Sequence, residues 1–235
     1  MIRIENLTVQ FGAVRPLDGL SAELTQPIIG LVGPNGAGKT TLLNVFSGFI
    51  TPVTGSIELD GRDLLPLSPT RRVQAGLRRT FQTEQVADDL SAWDNVLALA
   101  DHIGLKGATI GDDVERALAF TGLGPRAQVM GAALNLYERR MVEIARALVG
   151  GPRLILMDEP GAGLDEAEAL RLRQCILGIP KAFGATVLLI DHDVDLISAT
   201  CGETLVLDFG KRLALGPTRT VLDDPVVHRA YLGAA

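Results

Sequence analysis

The segment Gly33-Pro34-Asn35-Gly36-Ala37-Gly38-Lys39-Thr40 constrains this chain more than any other. It fits the spacing G-x-x-x-x-G-K-[S/T] and lies between the short apolar run Ile28 to Val32 and a helical pattern that begins at Lys39. A continuous apolar run ending in glycines suits a strand buried on both faces. Glycines let backbone N–H groups approach phosphate oxygens, and a helix N-terminus adds a favourable dipole. In such a loop Lys39 reaches terminal phosphates, the Thr40 hydroxyl ligates Mg²⁺, and Asn35, Gly36, Ala37, Gly38 and Thr41 complete the candidate binding stretch. A run of donors with one cation suits a triphosphate.

Two further strand ends carry chemistry. Leu154-Ile155-Leu156-Met157 is apolar and closes on Asp158-Glu159, and ligands bind beyond the carboxyl ends of strands in open α/β sheets. Asp158 is a candidate Mg²⁺ ligand. Glu159 is a candidate base that orients a water and takes its proton. His192 follows the run Ala185 to Ile190 in the same way. A metal cluster of His192 with Asp191, Asp193 and Asp195 is disfavoured, because residues alternating around a strand end diverge.

Composition narrows the class. With 47% hydrophobic and 21% charged residues over 235 positions, the chain has enough apolar material for one large core or two modest ones. A net charge of −6 gives no whole-domain footprint for nucleic acid, which is not expected as a partner. Cys175 and Cys201 are too few for a disulfide framework and read as free, buried thiols. The N-terminal residues lack the apolar core of a signal peptide, and no run approaches the ~20 residues needed to span a bilayer. A soluble, cytoplasmic protein is the expectation.

Periodicity orders the rest. Ile2 to Phe11 roughly alternates, Leu20 to Leu24 can pair with it, and Ser56 to Asp60 closes on the turn signal Asp60-Gly61. Helical spacing marks Trp93 to Ile103, Asp112 to Thr121 and Glu138 to Val149. Leu154 to Met157, Glu166 to Lys181 and Thr186 to Ile190 then read as strand, helix and strand, the unit of a parallel sheet. Thr204 to Asp208 and Arg212 to Leu215 read as a final strand pair.

These pieces in this order resemble the ATP-binding subunits of ABC transporters: GPNGAGKT, Thr80-Phe81-Gln82, a helical lobe, LILMDEP, Gly163-Leu164-Asp165 and Asp191-His192. The resemblance implies an α/β fold, a P-loop (RecA-like) mostly parallel sheet core with an antiparallel β subdomain and a helical subdomain. Residues 1–82 and 151–235 would form the core and about 83–150 the helical part. It implies ATP and Mg²⁺ as cofactors, with Thr40, Gln82 and Asp158 on the metal and Glu159 and His192 in catalysis. Asp165 then belongs to a loop facing an opposing subunit, and Phe11 is the aromatic on which adenine stacks. Strand alternation offers Phe11 a second reading, as a buried core aromatic. Trp93, Val96, Leu97 and Ala100 suit a groove for a membrane subunit's coupling helix, though any buried helix shows that spacing.

One segment departs from the family pattern. Where relatives carry Leu-Ser-Gly-Gly-Gln, this chain reads Leu134-Asn135-Leu136-Tyr137-Glu138. In relatives that segment grips the γ-phosphate of ATP held by the other subunit of a dimer. Asn135 retains amide donors, but Tyr137 is bulky and stands where the family's glycine implies a backbone conformation that only glycine adopts readily. Polytopic membrane permease subunits and a second ABC ATPase are the implied partners, a heterodimer favoured over a homodimer. The place implied is the inner face of the cell membrane, bound peripherally. Gly76 to Gln82 and Arg229 to Gly233 look most like the ATPases of branched-chain amino acid importers. Glu138-Arg139-Arg140 and Val142 to Leu148 look equally like lipopolysaccharide-export ATPases, and a hydrolysis-impaired regulatory subunit is a third reading.

Overall fold

The computed structural model describes residues 1–103 and 109–232. In chain order its main elements are β1 (Ile2–Phe11), β2 (Val14–Leu24), β3 (Ile28–Val32), α1 (Lys39–Ser47), β4 (Thr54–Leu59) and β5 (Arg62–Asp63). Then come α2 (Pro69–Gln74), β6 (Leu77–Arg79), α3 (Ala92–His102), α4 (Thr109–Phe120), α5 (Leu136–Leu148), β7 (Leu154–Asp158) and α6 (Glu166–Phe183). The chain ends with β8 (Thr186–Ile190), α7 (Val194–Thr200), β9 (Glu203–Asp208), β10 (Lys211–Pro217) and α8 (Thr218–Leu222) before short helical turns. Packing divides it into two compact units, residues 1–72 with 186–235, and residues 73–185. The helical stretch expected at about 83–150 lies inside the second unit, grouped there with β6, β7 and α6.

In the first unit an antiparallel sheet runs β2-β1-β4-β5. Ile2, Ile4, Leu7 and Val9 of β1 are buried while their neighbours face out, and register shifts absorb the irregular step at Asn6. Asp60 and Gly61 both take left-handed backbone, φ 49° and 78°, the geometry of a two-residue hairpin turn. Phe11 departs from the alternation. It ends β1 at the hairpin tip, paired with Val14, and is 55% exposed where the register shifts again after Val9. The core-aromatic reading of Phe11 is thereby overturned.

The second sheet of this unit runs β10-β9-β3-β8, with β3 parallel to β8 and β9 and only β10 antiparallel. All five residues of β3 are buried, as a strand covered on both faces requires. Helix α1 ends at Gly48, whose left-handed φ of 79° lets its N–H reach the carbonyls of Asn44 and Val45. The last carbonyls of α1 have a second partner in Arg72. This guanidinium, 4% exposed, donates to the carbonyls of Val45 and Phe46 (2.8 Å) and to those of Leu67 (2.9 Å) and Leu65 (3.3 Å).

In the second unit β6 and β7 pair in parallel, and α3, α4 and α5 pack on one another. Each of three helices opens on a side-chain cap: Ser91 accepts from the Asp94 N–H in α3, Asn135 from Glu138 in α5 and Asp165 from Glu168 in α6. Val96 and Ala100 are fully buried, whereas Trp93 and Leu97 are half-buried. Both cysteines are free, and burial pushes the Cys175 thiol up to about 12 and the Cys201 thiol to about 11. Among the described residues no helix is long and apolar enough to cross a membrane.

Arg72 offers a test of this architecture. Arg72→Met keeps the side-chain length but leaves buried carbonyls without a donor, so a loss of roughly 3 kcal/mol in unfolding free energy is expected. Urea denaturation followed by circular dichroism measures it; a midpoint unchanged from the native chain would show that the guanidinium contributes nothing net.

Candidate nucleotide site

In the first unit the loop from Gly33 to Gly38 is shaped by close backbone approach. A Cβ at Gly33 (φ 149°) would stand 2.2 Å from the carbonyl oxygen of Leu207, and one at Gly38 (φ 104°) would stand 2.3 Å from that of Pro16. The loop is thus held between β2 and the end of β9, and only glycine fits at either point. Gly210 donates to the Ala37 carbonyl at 3.1 Å and tightens the same cradle. Lys39 is buried at the head of α1, its ammonium donating to the carbonyls of Gly33 (2.6 Å) and Pro34 (3.0 Å). Asn35, Gly36 and Thr40 are exposed and Thr41 is half-buried. Gly38 at the N-cap has no side chain with which to cap α1, and no acidic residue lies in the helix's first turn. The N–H groups of that turn therefore face an approaching anion with the helix dipole behind them.

His192 sits in the same unit, exposed just past β8. Asp191 and Asp193, which flank it, are spent locally. The Asp191 carboxylate accepts from the Asp193 N–H at 2.9 Å, and Asp193 caps α7 through the N–H groups of Asp195 (2.8 Å) and Leu196 (3.2 Å).

In the second unit β7 delivers Asp158 at its buried carboxyl end, and the chain turns sharply at Glu159, whose φ of 50° lies in the left-handed region. Such a conformation costs a non-glycine residue roughly 1–2 kcal/mol. The turn sends the two carboxylates to different partners. Asp158 meets the Arg79 guanidinium at 3.2 Å, both side chains largely buried, while Glu159 accepts a hydrogen bond from the Gln82 amide at 2.8 Å. Alternation on β6 separates two adjacent arginines: Arg79 faces Asp158, whereas Arg78 donates to the carbonyls of Val73, Leu77 and Val149. Burial pushes Arg78 down to about 10 and lowers Arg79 as well, with Asp158 opposing the latter shift.

Taken singly, the candidate donors of the two units have the chemistry that Mg²⁺ takes. Thr40 hydroxyl, Gln82 carbonyl and Asp158 carboxylate are hard oxygen donors, and Asp158 already holds a cation, the Arg79 guanidinium. Sequence reading did not foresee that ion pair; its only signal was an arginine next to the acidic strand's partner.

The segment Asn135 to Glu138 forms the first turn of α5. Asn135 accepts from the Glu138 N–H at 2.8 Å and Glu138 accepts from the Asn135 N–H at 3.0 Å, a reciprocal capping box. Arg126 holds the Glu138 carboxylate at 2.8 and 3.1 Å, and hydrogen bonds from Arg126 and the Asn135 N–H outweigh burial to lower its pKa. Tyr137 needs no glycine-only backbone: it lies in regular right-handed helix, outside the positive-φ residues, with the Arg171 guanidinium 4.8 Å over its ring. That expectation fails because the bulky ring has a place against α6. Leu136, 39% exposed, lies beside Gly163, and Asp165 caps α6 through a second capping box with Glu168.

A glycine-shaped phosphate loop opening a helix after a buried parallel strand, in a chain with a second strand ending in paired carboxylates, defines a P-loop ATPase. The profile of the ABC transporter family matches residues 17–162, more than half of the chain. The chain is 38% identical over 209 residues to the lipopolysaccharide export system ATP-binding protein LptB of Acidithiobacillus ferridurans, covering 89% of this chain and 86% of that protein. It is 31% identical over 252 aligned positions to the high-affinity branched-chain amino acid transport ATP-binding protein BraF of Pseudomonas aeruginosa, covering 100% and 98%. Among solved structures it is similar to the ADP conformation of an ATP-binding cassette of an ABC transporter, with a TM-score of 0.89, 29% identity, and 99% and 98% coverage. The chain belongs to the ABC transporter family and is an ATP-hydrolysing subunit of it.

Lys39→Ala removes the one cation of the phosphate loop while leaving its glycines. Calorimetric titration with Mg-ATP is expected to show affinity reduced by roughly tenfold or more, since charge-assisted bonds to phosphate are among the strong ones. Equal affinity in variant and native chain would take Lys39 out of the site.

Proposed function

We propose that this chain is the ATPase subunit of an importer of branched-chain or other amino acids, bound peripherally to the inner face of the membrane through polytopic permease subunits. Full-length likeness to BraF carries the substrate class, since the match spans the whole chain and nearly all of that protein. The higher identity to LptB favours a second reading, an export ATPase of the lipopolysaccharide type. Co-purification from membranes, with identification of the bound permease chains, separates the two.

The proposed chemistry assigns a role to each candidate residue. The loop N–H groups from Asn35 to Thr41 and the Lys39 ammonium bind the phosphates, and Phe11, exposed at its hairpin tip, stacks on adenine. Thr40, Gln82 and Asp158 would hold Mg²⁺, which when bound neutralises phosphate charge. Glu159 takes a proton from the attacking water, and His192 steadies the terminal phosphate. The Gln82 amide on the Glu159 carboxylate keeps that base oriented. Glu159→Gln preserves size and removes the base, so ATP binding is expected to persist while turnover falls at least about a hundredfold. Steady-state phosphate release from native and variant chains measures this, and equal rates would reject Glu159 as the base.

The subunit is further proposed to work in a heterodimer. In a head-to-tail pair the first turn of α5 serves the partner's nucleotide, and in this chain that turn is occupied. Asn135 spends its oxygen on Glu138, a carboxylate stands at the helix start, and Tyr137 is fixed against Arg171. A phosphate brought there meets negative charge and finds one N–H already taken. A homodimer would carry this defect twice and turn over slowly; a partner with an intact segment leaves one competent site. Asn135→Ser combined with Leu136→Gly and Tyr137→Gly is expected to speed the homodimer by roughly 10² or more, the scale of one restored charge-stabilising donor. Brisk native hydrolysis with no gain in the triple variant would show that the substituted turn serves a nucleotide as it stands.

A further inference from the structure

Past Arg79 the chain leaves β6 and runs without regular structure through Phe81, Gln82, Glu84 and Gln85. Backbone groups there cannot be left unanswered where they are buried. They are answered by one face of α5, from residues three apart. The Arg140 guanidinium donates to the carbonyls of Phe81 (2.9 Å) and Gln82 (2.7 Å) and meets the Glu84 carboxylate at 3.0 Å. Glu143 accepts from the Gln85 N–H at 3.0 Å, and Arg146 donates to the Gln85 carbonyl at 2.7 Å. The side chains of Arg140 and Glu143 are 5% and 1% exposed and lie 3.8 Å apart, and among the described residues the buried Arg140 Nε and Glu143 Oε2 find no hydrogen-bond partner. Buried charge is tolerable only while its partners stay in place, so this arrangement resists gradual distortion. The segment and α5 are thereby joined into one hydrogen-bonded body.

The two ends of that body are the parts that matter. The N-terminus of α5 is the turn Asn135 to Glu138, little more than one helical turn from Arg140. At the other end, Gln82 points its amide at Glu159. We propose that Arg140 is a positioning residue: by gripping the carbonyls of Phe81 and Gln82 it ties the side chain on Glu159 to the first turn of α5. This rests on the proposed roles of Gln82 and Glu159. The geometry explains the choice of arginine, since two carbonyls and a carboxylate need a planar fork and a lysine ammonium is a point charge.

The test uses the full chain in the complex purified from membranes. In the native protein, hydrogen exchange of the amides of residues 81–85 is expected to share the protection of α5. Arg140→Lys keeps the charge and loses the fork. It should raise exchange in 81–85 roughly tenfold, lower kcat and raise the Mg²⁺ concentration for half-maximal hydrolysis by about tenfold each, and leave ATP affinity within about twofold. In a Gln82→Ala background the same substitution should change kcat by less than about twofold, because its route is already cut. Arg139→Lys, on a neighbouring side chain that binds Asp88 and the carbonyls of Gly131 and Val86 but nothing in 81–85, is the control for general weakening of the helix. An equal kcat loss in the Gln82→Ala background, an equal loss from Arg139→Lys, or native exchange in 81–85 for Arg140→Lys would each overturn the inference. So would segment 81–85 exchanging freely in the native protein while α5 is protected, a result independent of any variant's folding. Normal turnover by Glu159→Gln would instead defeat the underlying assignment of the base, and so tells the two failures apart.

Discussion

A lysine ammonium buried at the head of a helix has to be met by oxygen, and in this chain the oxygens come from the loop that precedes it. Lys39 binds the carbonyls of Gly33 and Pro34, which bends that loop back over its own helix. The bend is possible only because Gly33 and Gly38 press against the backbone of Leu207 and Pro16 without a Cβ. β2, the end of β9 and the β9–β10 turn are therefore parts of the loop's mould. The buried strand β3 fixes where the loop begins, and the uncapped first turn of α1 fixes what it can receive: an anion with several acceptors.

Elsewhere, buried arginines organise backbone that has no ladder to pair with. Arg72 holds the end of α1, Arg78 the chain flanking β6 and α5, and Arg140 the segment after β6. Each guanidinium replaces several missing backbone partners and fixes a loop in one place, which neutral side chains of that size do not do. Desolvation is the cost, visible in the lowered pKa values of Arg72 and Arg78. Arg79 follows the same logic with a different purpose, since its partner is the carboxylate proposed to meet the metal. The second unit carries its chemistry on a frame of charges rather than on packing alone.

The first turn of α5 shows how a local rule and a functional one come to share residues. Asn135 and Glu138 make a sound helix start by capping criteria, and Arg126 reinforces it. The same bonds occupy the groups that, on the proposed reading, would face the partner's nucleotide. Tyr137 adds a ring held under the Arg171 guanidinium at 4.8 Å. On the head-to-tail pairing proposed above, the bonds that secure this helix end also compete with service to a second nucleotide.

Much of this was legible from residue order. Strand periodicity gave β1, β3 and β8 at their observed bounds, and Asp60-Gly61 gave its turn, because those signals are local: side-chain alternation, continuous burial, and residues that tolerate left-handed backbone. The places of the loop after β3 and of Asp158-Glu159 at the end of β7 were legible for the same reason, since they follow from apolar runs along the chain. What sequence could not specify are pairings that join distant positions. Arg79 with Asp158, Arg140 with the carbonyls of Phe81 and Gln82, and Tyr137 with Arg171 are each separated by tens of residues, and nothing local distinguishes those arginines from solvated ones. Phe11 illustrates the converse: its place in an alternating strand predicts burial, and only the register shift at the hairpin tip turns it outward. Sequence determined which groups exist and the elements that carry them; the tertiary structure decided which of them meet, because only packing removes the water that would otherwise separate them.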